Sequence, residues 1–223
     1  AYEVGSRDWS SDVCSSDLVG AGTGARAGGL KGGIGSASAV LSDGTTVAAL
    51  VVVNAVGSCV DPATGELYAA RFGLPGEFPA LGRATEADLA AARERAAAAG
   101  LALGLGPGLA TTIGVIATDA TLTKAQCAKV SGIGHDGLAR AIRPVHTMFD
   151  GDTLFTLATG ERTGAGPAGA LDVMTFHALL DAAGDVVTRA VGHAMLAATS
   201  VVTPAGEMRS IRDALPSVLG DPD

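Results

Sequence analysis

Two threonines, Thr111 and Thr112, stand where a glycine-rich stretch from Gly100 to Leu109 gives way to the apolar run Ile113 to Ala117. A threonine in that place becomes a nucleophile if the chain cuts itself just before it. The freed α-amine, with an ordinary pKa near ~8, then lies on the nucleophile's own residue and takes its proton as general base. Acyl transfer of this kind also needs a donor aimed at the developing oxyanion. Asn54, at the end of the apolar run Val47 to Val53, offers an amide N–H for that task. Each residue has a plain alternative. Strand-opening threonines are mostly β-formers, and an Asn at a strand end is commonly a turn-former.

The elements that must position them can be read from pattern. Ser36 to Leu41 and Thr45 to Asn54 are β-rich runs separated by Ser42-Asp43-Gly44, which reads as a hairpin turn. Val47 to Val53 is continuously apolar, so this strand is expected to be buried on both faces. Ser58 to Gly82, rich in Pro and Gly, reads as an irregular excursion. Thr85 caps an alanine-rich helix running to Ala99. Beyond the run at Ile113, a helix is expected from Thr121 or Thr123 to about Val130, and a second from Asp136 to Ile142. A strand follows at Leu154 to Ala158. The Gly164 to Gly169 linker leads to a long helical region, Ala170 to about Thr199, in which His177 and His193 read as packing or surface residues. The tail from Thr203 is more polar and reads as surface.

Composition narrows the class. The 223 residues are 48% hydrophobic and 4% aromatic, with 32 glycines, so the core must be built from Ala, Val, Leu and Ile. A net charge of −8 without a Lys/Arg-rich run argues against nucleic acid or an anionic membrane as partner. Three cysteines without regular spacing give neither a disulfide framework nor a zinc site. No uncharged run is long enough to span a membrane. Gly20-Ala-Gly22-Thr-Gly24 lacks the preceding strand, following helix and later acid of a dinucleotide loop, and reads instead as a segment of close backbone passage. Asp8 to Leu18 holds the only Trp and a Ser/Asp cluster unlike the rest of the chain. It resembles a translated sequencing adapter, and Arg7 to Leu18 are set aside. The front of the protein is then expected to be lost, so the lack of a signal peptide is uninformative; the cytoplasm is the expected compartment.

Several motifs fall in one order: LKGGIGSAS from Leu30, the strand ending in Asn54, TTIGVIATDA from Thr111, TKAQCAKVSGIGHDGLARAIRPVHT from Thr123 and DGDTLFTLATG from Asp150. Together they resemble the L-aminopeptidase/D-esterase and β-aminopeptidase family of self-processing peptidases, peptidase family S58. The resemblance covers Val19 to about Ala198. It implies an α/β (α+β) fold similar to N-terminal-nucleophile hydrolases: an αββα sandwich of two packed sheets between helical layers, here without its N-terminal part. Residues 19–223 then form one domain, cut between Ala110 and Thr111. Family members carry Asn or Gly before the cut where this chain has Ala110. Thr111 maps onto the nucleophile, with Thr112 as the alternative, and Asn54 maps onto the oxyanion-stabilising Asn. Asp150-Gly151-Asp152 stands where the family has Ser-Gly-Glu. Asp152 fits the acid that holds the amine, and Asp150 replaces a hydroxyl. The family's second oxyanion donor, a Tyr, has no counterpart in Tyr2 or Tyr68.

The resemblance implies an aminopeptidase or amidase acting on N-terminal aminoacyl amides, esters or β-peptides, with no cofactor or metal and with assembly into a homo-oligomer. Two other readings remain open. One is a truncated, catalytically idle member. The other is a metal-dependent hydrolase drawing on His135, Asp136, His146, Asp150 and Asp152, for which neither HExxH nor a Cys/His ligand spacing is present.

Overall fold

Adjacent glycines can both take positive φ, which is what a two-residue hairpin turn demands. Gly28 (φ +57°) and Gly29 (φ +85°) do so between strands β1 (Arg26–Ala27) and β2 (Leu30–Lys31). The neighbouring glycine-rich backbone closes around the fully buried Lys31, whose ammonium donates to the carbonyls of Gly22 (2.7 Å) and Gly32 (2.5 Å). These glycines enclose a lysine and form no dinucleotide loop. A computed structural model of the chain describes residues 20–103, 110–166, 169–203 and 206–219. The set-aside segment at Arg7 to Leu18, the end of the loop before Ala110 and the middle of the Gly164–Gly169 linker lie outside the described residues.

The main sheet has the order β3 (Ile34–Val40), β4 (Thr46–Val52), β5 (Ile113–Ala120), β6 (Thr153–Arg162). β3 and β4 form the expected hairpin; at its turn the Asp43 carboxylate accepts the Thr45 N–H (2.9 Å) and hydroxyl (2.8 Å). β4 pairs antiparallel with β5, and β5 parallel with β6. A parallel pair needs a crossover. Helix α2 (Lys124–Ala141) provides it, after α1 (Glu86–Leu103) has filled the long connection from β4 to β5.

Helix α2 and helix α3 (Val173–Ala197) cover one face of this sheet, against Val47, Ala49, Val51 and Ile116. Close approach is written into the sequence. A Cβ on Gly35 of β3 would lie 2.1 Å from the Ala190 carbonyl oxygen, and one on Gly137 of α2 would lie 2.4 Å from that of Gly184. The two helices expected to Val130 and from Asp136 to Ile142 are one, which corrects that expectation. The helix is continuous, capped by Thr123 with a reciprocal Gln126 bond, because glycine's weak helix propensity is outweighed by packing on α3. His135 and Asp136 accordingly lie inside α2 and do not start a helix.

The opposite sheet face corrects a second expectation. β4 is not buried on both faces: Leu50 is 43% exposed, and beside it Phe155 and Leu157 on β6 are 66% and 57% exposed. No second sheet covers this apolar face among the described residues. The remaining pieces are the hairpin β7 (Val201–Thr203) and β8 (Gly206–Met208) and the short helix α4 (Ile211–Ala214).

The Ser58 to Gly82 excursion is pinned to α3 by charge. Arg189, 6% exposed, donates through Nε and Nη2 to the Glu77 carboxylate (2.7–2.9 Å) and through Nη1 to the Ser38 carbonyl. His193 Nε2 lies 2.9 Å from Glu77 Oε1. Burial would raise the Glu77 pKa, but the hydrogen bonds from His193 and Arg189 win and hold it at about 2. His193 is thus a packing and pairing residue, and His177 is exposed.

Candidate active site

Because β4 is antiparallel and β6 parallel to β5, the end of β4 and the starts of β5 and β6 share one edge of the sheet. Val52 pairs with Ile113, which pairs with Thr153. Three segments distant in sequence converge there: Asn54 just past β4, Ala110-Thr111-Thr112 ahead of β5, and Asp150-Gly151-Asp152 ahead of β6.

The two threonines differ sharply. Thr112 is fully buried, and its hydroxyl accepts the Asn54 N–H (3.3 Å) and donates to the Asn54 carbonyl (3.2 Å). Thr111 is exposed. Its Oγ1 would lie 2.9 Å from a Cβ built on Gly151, so only a glycine leaves this hydroxyl its place.

The parallel ladder beside Thr111 is interrupted at one rung. Ala110 donates its N–H to the Phe149 carbonyl, Gly151 to the Ala110 carbonyl, and Thr153 to the Thr112 carbonyl, each at 2.9 Å. Regular pairing would send the Thr112 N–H to the Gly151 carbonyl. Instead it donates to Asp152 Oδ1 (2.8 Å), and the Gly151 carbonyl accepts the Thr153 hydroxyl (3.0 Å). A carboxylate therefore replaces a backbone acceptor next to Thr111. Its other oxygen, Oδ2, lies 2.8 Å from His146 Nδ1, and its side chain is 1% exposed.

Asn54 Oδ1 accepts the Arg26 N–H at 3.1 Å, which fixes the orientation of the amide and leaves its NH₂ end as the donor. Asp150 is differently employed. Its Oδ1 accepts the Val56 N–H (3.1 Å), and its Oδ2 accepts the Thr147 hydroxyl (2.6 Å) and N–H (3.2 Å). Burial opposes its ionisation, but these bonds prevail and hold its pKa below the usual carboxylate range. Asp150 ties the segment after β4 to the segment before β6, and so holds Asn54 and Gly151 in register.

Sequence reasoning weighed His146 only as one of a metal-binding set, and missed it as the partner of Asp152. Both residues lie in a loop, where no periodicity indicates which side chains face each other. Among the described residues, no group of three or more His, Cys, Asp or Glu is arranged to hold a metal ion. Tyr68 lies beneath the Arg143 guanidinium, 5.5 Å from Cζ to ring centre, and Tyr2 is outside the described residues. Cys59 is buried, and its thiol is pushed up to about 12 by desolvation.

The model of peptidase family S58 matches residues 10–209. An uncharacterized aminopeptidase of Mycobacterium tuberculosis is 45% identical over 208 residues, covering 91% of this chain and 57% of the relative. Another, of Mycobacterium leprae, is 46% identical over 188 residues, covering 82% and 49%. The chain thus spans about half the length of these relatives. Among solved structures, a Burkholderia sp. β-aminopeptidase superposes with a TM-score of 0.56 at 25% identity, over 90% of this chain and 53% of the other. An L-aminopeptidase D-Ala-esterase/amidase from Ochrobactrum anthropi, described as a variant of the Ntn hydrolase fold, gives 0.57 at 24% identity over 88% and 50%, which speaks to the fold alone. Mixed α/β architecture, matched sequence and shared fold agree: the chain belongs to peptidase family S58.

Proposed function

We propose that the protein is a self-processing aminopeptidase that cuts itself between Ala110 and Thr111 and then hydrolyses N-terminal aminoacyl amides, esters or β-peptides through an acyl-enzyme on Thr111. One observation carries the reading. Of two adjacent threonines, Thr112 has its hydroxyl buried and committed to Asn54, whereas Thr111 is exposed beside Gly151, whose N–H already bonds the Ala110 carbonyl.

In the cutting step, Thr111 Oγ attacks the Ala110 carbonyl carbon. The Gly151 N–H stabilises the charge that develops on the Ala110 oxygen. The Ala110–Thr111 C–N bond breaks, the nitrogen takes up the hydroxyl proton, and Ala110 is left as an ester on Oγ. Water then hydrolyses that ester to the Ala110 carboxylate and restores the hydroxyl. In the cut enzyme the Thr111 amine is the general base, Asp152 holds it, and the Asn54 NH₂ serves the substrate oxyanion. Asp150 contributes by fixing the two segments that carry these groups.

Homo-oligomer assembly belongs to the proposal, and the apolar face around Leu50, Phe155 and Leu157 is the surface it or a second sheet would bury. The same uncovered face favours the alternative of an idle member whose pocket is incomplete. Turnover of aminoacyl p-nitroanilides by the full-length protein separates the two. The wild type should hydrolyse them and Thr111→Ala should not; equal rates in both would remove Thr111 from the chemistry.

A further inference from the structure

We propose that His146 is the positioning residue for Asp152, holding the carboxylate toward the Thr111–Thr112 backbone, with its own ring backed by His135. The inference rests on the reading of Thr111 as nucleophile.

His146 has φ +55°, in the left-handed region that is uncommon outside glycine and in which Asn, Asp and His are enriched. That backbone turns the ring so that Nδ1 reaches Asp152 Oδ2 at 2.8 Å, while Oδ1 remains on the Thr112 N–H. An aspartate with a 1% exposed side chain needs both oxygens satisfied, and His146 satisfies the one the backbone does not.

The far side of the ring has two possible partners of opposite kind. Nε2 lies 3.4 Å from His135 Nδ1 and 3.4 Å from the His135 carbonyl oxygen, both at the long end of hydrogen bonding. A neutral His146 donates to Asp152 and accepts from His135 Nδ1–H. A protonated His146 still donates to Asp152 and turns its second N–H to the carbonyl. In both forms Nδ1 keeps its bond to the carboxylate. His135 of α2 and Asp152 and Asp150 of its own loop face the His146 ring, and Asp136 of α2 lies near His135. Burial, followed by the proximity of His146, holds the His135 pKa below the usual imidazole range, which keeps it available as the neutral member of the pair. The two rings meet edge to face, 4.8 Å between centres.

The test compares full-length wild type, His146→Ala and His146→Asn, reading kcat on an aminoacyl p-nitroanilide, the cut before Thr111, and the melting temperature. Asn tolerates positive φ and presents an N–H near the Nδ1 position. The Ala variant should lose about 10- to 100-fold in kcat, the loss of a hydrogen bond to a charged group. The Asn variant should recover most of that loss at an unchanged melting temperature. The proposal is overturned if the Ala variant keeps wild-type kcat, or if Asn at unchanged melting temperature is as impaired as Ala. A wild type left uncut before Thr111 overturns both this proposal and the nucleophile reading, whereas the other outcomes bear on His146 alone.

Discussion

The backbone N–H of Gly151 donates to the carbonyl oxygen of Ala110 at 2.9 Å, so the carbonyl on the leaving side of the proposed cut is polarised by a rung of the sheet itself. The same residue faces the Thr111 hydroxyl, because a Cβ there would sit 2.9 Å from Oγ1. Gly151→Ala should therefore displace the hydroxyl and leave the fold almost untouched. Misplacement of a reacting group by about 1 Å can cost on the order of 10²-fold in rate. Slowed cutting at an unchanged melting temperature is the expected outcome; wild-type cutting would show that Gly151 does not fix the hydroxyl.

Thr112→Val separates the two threonines. It removes both hydroxyl bonds to the Asn54 backbone and leaves that N–H and carbonyl unpaired, at a cost of about 1–3 kcal/mol. The melting temperature should fall while the new N-terminus remains Thr111. Stability loss with no cut at all would return Thr112 to consideration as the nucleophile.

Asn54→Ala removes the amide whose carbonyl is held by Arg26 and whose NH₂ is the proposed oxyanion donor. Loss of such a donor typically costs about 10²–10³ in kcat. Near-normal turnover by a folded Asn54→Ala protein would take Asn54 out of the site.

Acid should weaken the anchor of the Ser58 to Gly82 excursion. The Glu77 pKa falls from an ordinary 4.5 to about 2 on folding. A depressed carboxylate stabilises fully above its unfolded pKa, and that stability is lost as pH falls through the folded value. This contribution, roughly 3 kcal/mol, should vanish between about pH 4.5 and 2. Glu77→Gln should flatten the pH dependence of denaturant unfolding in that window. An equally steep fall in the variant would assign it to other carboxylates.

Much of this was legible in the sequence, for reasons that can be named. The β3–β4 hairpin followed from Ser42-Asp43-Gly44 between two β-rich runs, because that signal is local. The unbroken α2 was not legible: the stretch between Val130 and Asp136, with Gly132 and Gly134, does not read as helix, and there Gly134 packs closely on Ile116 and Leu154. One-sided burial of β4 was hidden because its uniform apolar run does not show which face lacks a cover. At the candidate site, Thr111 and Asn54 stand out by residue type and placement, and Asp152 only through the resemblance to the S58 family. The His146 contact, the commitment of Thr112 to Asn54 and the rung replaced by Asp152 depend on how three loops meet, which no spacing encodes.

If the chain is cut before Thr111, purified full-length protein resolved on a denaturing gel, with N-terminal sequencing of each band, should give two fragments, the second beginning Thr111-Thr112-Ile113. Thr111→Ala should give a single uncut band. An uncut wild-type protein that still hydrolyses aminoacyl amides would contradict the proposed cut.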